Sequence, residues 1–381
     1  MNLILNNILY KNYILLNTKP QNKLITDLTN GNLRILVTGG AGFIGGCLIR
    51  KLLSNTNALI YNLDKITYAS DLSWLENNKS RDRHHFIKAD LVNFEETKNA
   101  LKNSNPDLIV HLAAESHVDR SIENARPFIE SNILGTFNLL ENSKNHWDNL
   151  NFSRKNRFKF LHVSTDEVFG SLGKYGLFDE NSLYDPRSPY SATKASSDHL
   201  VNAWFHTFNF PILKTNCSNN FGPYQFPEKL IPLIILKALN NEKIPIYGNG
   251  LNIRDWLFVE DHIDALYLVL KQAEIGKNYC IGGNNERSNI EIANLICEQL
   301  DLKFPNNKPH NKLIEFVEDR PGHDKRYAIN SGLIKKELSW VPKYTFKDGI
   351  QKTIDWYIKN LHWCKNIQNN SNYKGERLGL N

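Results

Sequence analysis

Eight residues, Thr38-Gly39-Gly40-Ala41-Gly42-Phe43-Ile44-Gly45, constrain this chain more than any others. They follow an apolar run at Leu33–Thr38 and open a helical stretch from Phe43 to about Ser54, so the glycines occupy a strand-to-helix turn with the spacing GxxGxxG. A side chain at Gly39 would obstruct the tight turn, one at Gly42 would keep the backbone from a pyrophosphate, and one at Gly45 would hold the helix off the strand. The diphosphate of a dinucleotide fits such a helix N-terminus, where free N–H groups and the helix dipole favour negative charge. By itself, a glycine-rich turn is also how a plain strand–helix connection is made. Asp64 narrows the choice. It closes the next apolar run, 19 residues after Gly45, where a carboxylate accepts hydrogen bonds from an adenosine ribose. The same charge repels a ribose 2′-phosphate, so the expected cofactor is NAD. Asp90, after the third run, is placed to bracket the adenine.

The pattern around the turn is regular. Apolar runs at Leu33–Thr38, Ala58–Leu63, His85–Ala89, Asp107–Leu112 and Phe158–Ser164 alternate with helix-length segments, including Asn132–Ser143. Strands alternating with helices imply a parallel sheet covered on both faces. The expected fold is therefore α/β, a doubly wound parallel sheet of the Rossmann type with a smaller α/β C-terminal substrate domain. After about Cys217 the alternation loosens, and Pro223, Pro227, Pro232 and Pro245, with Gly222, Gly248 and Gly250, punctuate shorter elements. Amphipathic helices are expected at Asp261–Lys271, Ile290–Leu300, Ser331–Leu338 and Phe346–Lys359. The implied organisation is an N-terminal extension at 1–32, a dinucleotide-binding domain at 33–216 with some return of chain near 251–270, a substrate domain at 217–360 and a C-terminal tail at 361–381.

Composition removes other classes. With 381 residues, 41% of them apolar and 23% charged, the chain has the balance of a soluble globular protein with a sizeable core. No stretch approaches the roughly 18 consecutive apolar residues of a membrane span. Lys and Arg number 46 against 40 Asp and Glu, a net charge of +6 without the basic stripe a nucleic-acid binder shows. Five cysteines (Cys47, Cys217, Cys280, Cys297, Cys364) are odd in number and widely spaced, which fits reduced, buried thiols in the cytoplasm and no structural metal. Residues 1–32 contain no unbroken apolar segment and no small-residue cleavage site, so they read as an extension and not a secretory signal; their low acid content leaves an organelle-targeting role open.

Tyr190-Ser191-Ala192-Thr193-Lys194 places Tyr and Lys four apart on one helix face. There an ammonium lowers the phenol pKa and lets Tyr190 act as a base, while Lys194 also holds the nicotinamide ribose. The spacing recurs in unrelated helices; downstream of a dinucleotide turn it marks hydride chemistry at an alcohol carbon. Ser164-Thr165-Asp166-Glu167 ends the run Phe158–Ser164, at the carboxyl edge where open α/β sheets bind ligands. Thr165 can donate to the substrate oxygen that Tyr190 deprotonates. Two adjacent carboxyls exceed what hydride transfer needs, and suit elimination: one takes a proton α to a ketone, the other protonates a leaving hydroxyl. Acids that merely cap the turn after the strand are the alternative reading.

With these residues in view, the chain from about Leu33 to Tyr357 resembles the extended short-chain dehydrogenase/reductases, the NAD-dependent sugar epimerase/dehydratase family, and within them the dTDP-glucose 4,6-dehydratases. The resemblance rests on Thr38–Gly45, His111–Arg120, Ser164–Val168, Ser188–His199, Thr215–Asn220, Pro227–Pro232, Arg254–Trp256 and Asp319–His323, and on a tail at Gly375–Leu380. It implies that Tyr190, Lys194 and Thr165 oxidise the glucosyl C4 hydroxyl with NAD. Glu167 then removes the C5 proton, Asp166 protonates the departing C6 hydroxyl, hydride returns to C6, and Tyr190 or its relay protonates C5. The implied product is dTDP-4-keto-6-deoxyglucose. The family's NAD contacts fall on Gly39, Gly42, Phe43, Ile44, Gly45, Asp64, Lys65, Thr67, Asp90, Leu91, Ala113, Ala114, Ser131, Tyr190, Lys194 and Asn220. Its sugar-nucleotide contacts fall on Ser116, Thr165, Asn219, Lys229, Leu230, Pro245, Ile246, Tyr247, Arg254, Asn289, Asp319, Arg320 and His323. Among these, Arg254 is the natural diphosphate clamp, because a guanidinium pairs bidentately with phosphate oxygens, and Pro245-Ile246-Tyr247 is placed to cradle the thymine. No metal is implied. The family also implies a homodimer built from the helical segments Ser121–Ser143 and Ser188–Phe208.

Departures from the family pattern are few: Ser131 where Thr is common, and Phe169 and Phe221 where Tyr often stands. Two other readings stay open. One is a related UDP- or GDP-sugar dehydratase or epimerase, against which the Asp166–Glu167 pair and Asp64 argue. The other is a non-catalytic sugar-nucleotide sensor on the same fold, against which the filled Tyr, Lys and acid positions argue.

Overall fold

A computed structural model describes residues 33–75, 80–305, 309–371 and 373. The extension at 1–32 and the Gly375–Leu380 tail lie outside the described residues. Seven parallel strands form the central sheet in the order β3-β2-β1-β4-β5-β6-β10. They are β1 (Arg34–Thr38), β2 (Leu59–Asp64), β3 (His84–Lys88), β4 (Leu108–His111), β5 (Lys159–Thr165), β6 (Ile212–Cys217) and β10 (Asn278–Ile281). The inner strands β1, β4, β5 and β6 are buried on both faces, so their side chains alternate between two apolar layers, while the edge strand β3 is mostly exposed. Ile35 and Val37 meet Leu48, Ile49 and Leu52 of α1 (Phe43–Asn55) and Ile263, Leu266 and Val269 of α7 (Val259–Gln272). Leu36 and Ile109 face the other way, onto Leu101 of α2 (Phe94–Ser104), Leu139 and Leu140 of α4 (Gly135–Asp148) and Val201 of α5 (Pro189–Phe208). Between α2 and α4 lies the short helix α3 (Val118–Glu123).

The helices start where local chemistry allows. Ser188 and Ser191 form a capping box at the head of α5, with Pro189 in the first turn, where no N–H bond is lost. Ser288 and Glu291 do the same for α8 (Asn289–Lys303). The expected helix at Asn132–Ser143 begins earlier: a π-turn at Ile129–Leu134 runs directly into α4.

The second lobe is smaller. It holds a three-stranded sheet of β7 (Asn219–Phe221), β9 (Ile253–Phe258) and β11 (Glu286–Ser288), and a pair of parallel strands, β8 (Ile244–Tyr247) and β12 (Ile314–Val317). Around them pack α6 (Leu230–Leu239), α8 and α10 (Phe346–Lys359). Further helices are α9 (Gly332–Leu338) and α11 (Leu361–Ser371). Pro232, read in the sequence as punctuation, lies in the first turn of α6, where its missing N–H is an orphan in any case. The chain returns to the first sheet after the second lobe has begun: α7 packs on α1, and β10 adds the strand beyond β6. All five cysteines are free and buried.

Candidate active site

The strand order reverses between β1 and β4, and open α/β sheets bind their ligands outside the carboxyl ends at such a point. A long cleft opens there. Its near wall carries Gly39, Gly42, Phe43, Ile44, Gly45, Asp64, Lys65, Thr67, Asp90, Leu91, Ala113, Ala114, Ser131, Tyr190, Lys194 and Asn220, the whole set expected to hold the dinucleotide. A second cavity carries Ser116, Asn219, Lys229, Leu230, Pro245, Ile246, Tyr247, Arg254, Asn289, Arg320 and His323. Glu167 lines both cavities, and Thr165 lines the first. Two predicted residues stand off these walls. Asp166 is buried, and Asp319 reaches the second cavity only through His323, whose Nδ1 lies 2.5 Å from its carboxylate.

The first cavity is shaped for a dinucleotide. Gly39 has φ +74°, and a Cβ there would meet the Ala113 nitrogen at 2.7 Å. A Cβ at Gly45 would strike the Gly39 oxygen at 2.2 Å, so α1 is pressed onto the turn that opens it. At Gly42 only the Gly39 oxygen would be met, at 3.2 Å. Gly42 is also the N-cap of α1 and offers no side-chain cap, and the first turn holds no acid, so the helix end is left to an anion. Asp64 is fixed by Ala41 N at 3.1 Å and Ile66 N at 2.8 Å. Lys65 donates to Ser131 at 2.9 Å, so the Ser found where Thr is common keeps its hydroxyl partner. Ser164 Oγ and Asn219 Oδ1 are buried without a hydrogen-bond partner, polar atoms that a ligand in these cavities would satisfy. These residues fit NAD.

At the end of β5, the Thr165 hydroxyl caps a short turn by accepting from Glu167 N at 3.2 Å, and donates to Asp166 at 3.3 Å. Burial drives the Asp166 carboxyl well above its ordinary value; Glu167 and Asp255 add repulsion, and Arg254 opposes it. Glu167 is also raised by burial, but Arg320, Arg254 and Lys229 pull it back. Both adjacent acids are thus raised, Asp166 the more strongly, because three cations act on Glu167 and carboxylates outweigh the single cation at Asp166.

Tyr190 departs from its expected electrostatics. Burial pushes its phenol well up, Glu167 and Cys217 add to the shift, and hydrogen bonding to Thr165 opposes it. Lys194, expected to depress it, donates instead to the Val163 carbonyl at 3.0 Å. Its own pKa is lowered by burial and supported by Asp198. Asp198 lies one turn further along α5 and accepts from His162 at 3.0 Å, Tyr184 at 2.7 Å and Asn216 at 3.2 Å. Asn216 also donates to the Thr165 carbonyl at 3.0 Å, so this buried network braces the end of β5.

In the second cavity, Arg254 is buried, with its guanidinium donating to the carbonyls of Ile253 at 2.7 Å and Asp324 at 3.0 Å. Lys229 donates to the Ser116 carbonyl at 3.0 Å. Several wall residues were not anticipated: Tyr68, Glu115, Asp119, Gln225, Glu228, Tyr327 and Tyr373. Glu115, Asp119 and Glu228 carried a signal, since each is an acid inside a segment on which the family resemblance rests. Among the described residues no group of three or more His, Cys, Asp or Glu is arranged to hold a metal. No described helix is long and apolar enough to cross a membrane.

The family model described as GDP-mannose 4,6 dehydratase matches residues 36–353. A dTDP-glucose 4,6-dehydratase of Neisseria meningitidis is 50% identical over 352 residues, covering 91% of this chain and 99% of the relative. Among solved structures, the dTDP-glucose 4,6-dehydratase of Bacillus anthracis in complex with NAD superposes with a TM-score of 0.78 at 42% identity, covering 88% of this chain and 99% of that one. That of Streptomyces venezuelae, with NAD and dTDP bound, gives 0.80 at 38% identity, covering 88% and 100%.

Proposed function

From a chain that belongs to the dTDP-glucose 4,6-dehydratases, extended short-chain dehydrogenase/reductases, we infer how its residues divide the work. The enzyme dehydrates dTDP-glucose to dTDP-4-keto-6-deoxyglucose with NAD. When bound, NAD would supply a two-electron hydride acceptor and donor and, in its oxidised form, a positive charge. The observation that carries our assignment of roles is the pair of adjacent acids at the end of β5, Asp166 buried behind the cavity wall and facing fewer cations, Glu167 on the wall beside Tyr190 with three cations acting on it.

In this reading Thr165 and Tyr190 converge on the C4 hydroxyl, and Tyr190 takes its proton as the phenolate, a form that its buried phenol reaches only with a positive charge beside it. The C4 ketone acidifies C5–H, which Glu167 removes as the ionised member of the pair. Asp166, the protonated member, gives its proton to the departing C6 hydroxyl, which leaves as water. Tyr190 and Glu167 each gain a proton while Asp166 and C5 each take one back, so the cycle is neutral in protons. Lys194 holds the nicotinamide ribose. Arg254, Lys229, Arg320 and His323 hold the sugar nucleotide, and Asp319 orients His323. Pro245–Tyr247 face the base, which we take as thymine.

We further place residues 33–216, with the return near 251–270, as the dinucleotide half, 217–360 as the substrate half, and the enzyme in the cytoplasm. Ile129, Leu134 and Phe137, with Phe208 on α5, are 37–51% exposed on neighbouring helices, which supports a homodimer joined there. Mass spectrometry of dTDP-glucose incubated with purified enzyme and no added cofactor tests the reading. Loss of one water from dTDP-glucose, and little from UDP-glucose in parallel, is expected. An unchanged mass for both would refute it.

A further inference from the structure

Helix α3 overlaps the end of the segment His111–Arg120, and its Asp119 and Arg120 take no part in the proton transfers assigned above. Its Asp119 and Arg120 reach two different sets of partners. Arg120 Nε donates to Glu228 Oε2 at 2.9 Å, and its guanidinium lies 4.1 Å over the Tyr68 ring. Tyr68 in turn donates its hydroxyl to Glu228 Oε1 at 2.9 Å, closing a triangle. Asp119 accepts from Tyr247 at 2.9 Å and from Arg320 at 2.8 Å, both in the substrate lobe.

The triangle joins three separate pieces of chain. Tyr68 stands in the loop that follows Asp64, the last residue of β2, and that also carries Lys65 and Thr67. Glu228 stands just before α6, next to Lys229. Glu228 lines both cavities, and its side chain is 2% exposed, so its charge depends on Arg120 and the Tyr68 hydroxyl for compensation. His117, 4.0 Å from Glu228, is held neutral by burial and by the neighbouring cations, and so adds no charge. A cofactor that takes hydride from one carbon and returns it to another must stay bound between the two transfers. A loop along the cofactor wall can hold it only if the loop is itself tied down.

We propose that Arg120 is a positioning residue which, with Tyr68 and Glu228, clasps the 65–70 loop to the substrate lobe and sets how long NAD stays in its cleft. The proposal rests on the NAD reading above. Asp119 serves the other side, holding Arg320 and Tyr247 for the sugar nucleotide.

The test measures NAD content of the purified enzyme and the rate of NAD release into cofactor-free buffer. Tyr68→Phe keeps the ring and deletes the hydroxyl; Arg120→Met keeps much of the stem and deletes the charge. Each is expected to release NAD about tenfold faster or more, the loss of one charge-assisted hydrogen bond, with activity recovered by added NAD. Asp119→Asn is expected to raise KM for dTDP-glucose and leave NAD release as in the parent. NAD release at the parent rate in Tyr68→Phe and in any folded Arg120→Met overturns the clasp. If Arg120→Met does not fold, Tyr68→Phe decides alone. A parent enzyme that carries no NAD overturns the cofactor reading, and the clasp with it.

Discussion

Asp166 and Glu167 are neighbours in sequence, and desolvation raises both, Asp166 further than Glu167. Glu167 has three cations acting on it, Arg320, Arg254 and Lys229, whereas Asp166 feels Glu167 and Asp255 before it feels Arg254. Asp255, itself pushed up to about 6 by burial, is held by Asn285 N at 2.7 Å and Gly283 N at 3.0 Å. A base must be ionised and an acid protonated, so turnover falls on the acid side as Glu167 takes up a proton and on the alkaline side as Asp166 loses one. Because Glu167 is raised above 4.5, its limb begins at a higher pH than for a free glutamate. The two acids are coupled, and the limbs belong to the pair. Glu167→Gln is expected to lower kcat by about 10²–10⁴-fold and to remove the acid limb. A kcat profile in which that limb survives would move the base elsewhere.

At the scale of elements, the strand–turn–helix unit β1–α1 does the most. Its turn is a close fit and not merely a flexible one, since Gly39 abuts the backbone of Ala113 after β4. Gly39→Ala combines an unfavourable positive φ with a Cβ 2.7 Å from a backbone nitrogen. We expect a cost of about 1–3 kcal/mol, seen as a lower Tm, together with loss of bound NAD from the purified protein. A variant that keeps both its Tm and its NAD would show that the turn relaxes. Helix α6 makes the complementary point. Leu-Ile-Pro-Leu-Ile-Ile-Leu is apolar around most of its circumference because α6 sits inside the second core, so it shows no amphipathic stripe to read.

At the scale of the molecule, two expectations follow. Leu134 and Phe137 are 41% and 37% exposed on neighbouring turns of one helical segment. If the homodimer forms there, Leu134→Glu is expected to halve the mass measured by light scattering; an unchanged mass would place the interface elsewhere. The second concerns buried histidines. His162 and His262 are fully buried and neutral, lowered by burial to about 4 and about 3 from 6.5. The unfolded chain binds a proton at each below about pH 6.5 while the folded chain does not, so their stability contribution is whole above that pH and drains away as pH falls. Each contributes about 1.4 kcal/mol per pH unit within that window. Asp255, raised to about 6, acts with the opposite sign below that value. Tm is expected to fall from pH 7 to pH 5, and His262→Gln to make the fall shallower; an equal slope in the variant would remove His262 from the account.

What the sequence determined by itself was local: a turn that only glycine can build, strands of continuous apolar residues, a Tyr and a Lys one helical turn apart, and two acids ending a strand. Each depends on neighbours a few residues away, so each could be read in one dimension, and with them the doubly wound sheet; the contact residues of the two cavities were legible mainly through the family resemblance, and Tyr68, Asp119 and Glu228 were not named by it. What the tertiary structure decided was electrostatic and long-range. Which acid holds its proton depends on Arg320, Arg254 and Asp255, far along the chain. The direction of the Tyr190 shift follows from burial and from a lysine turned toward Val163, which spacing on a helix does not reveal. The clasp of Tyr68, Arg120 and Glu228 spans 160 residues. Charge and solvation are properties of the assembled interior, and they come into being only when the lobes close around it.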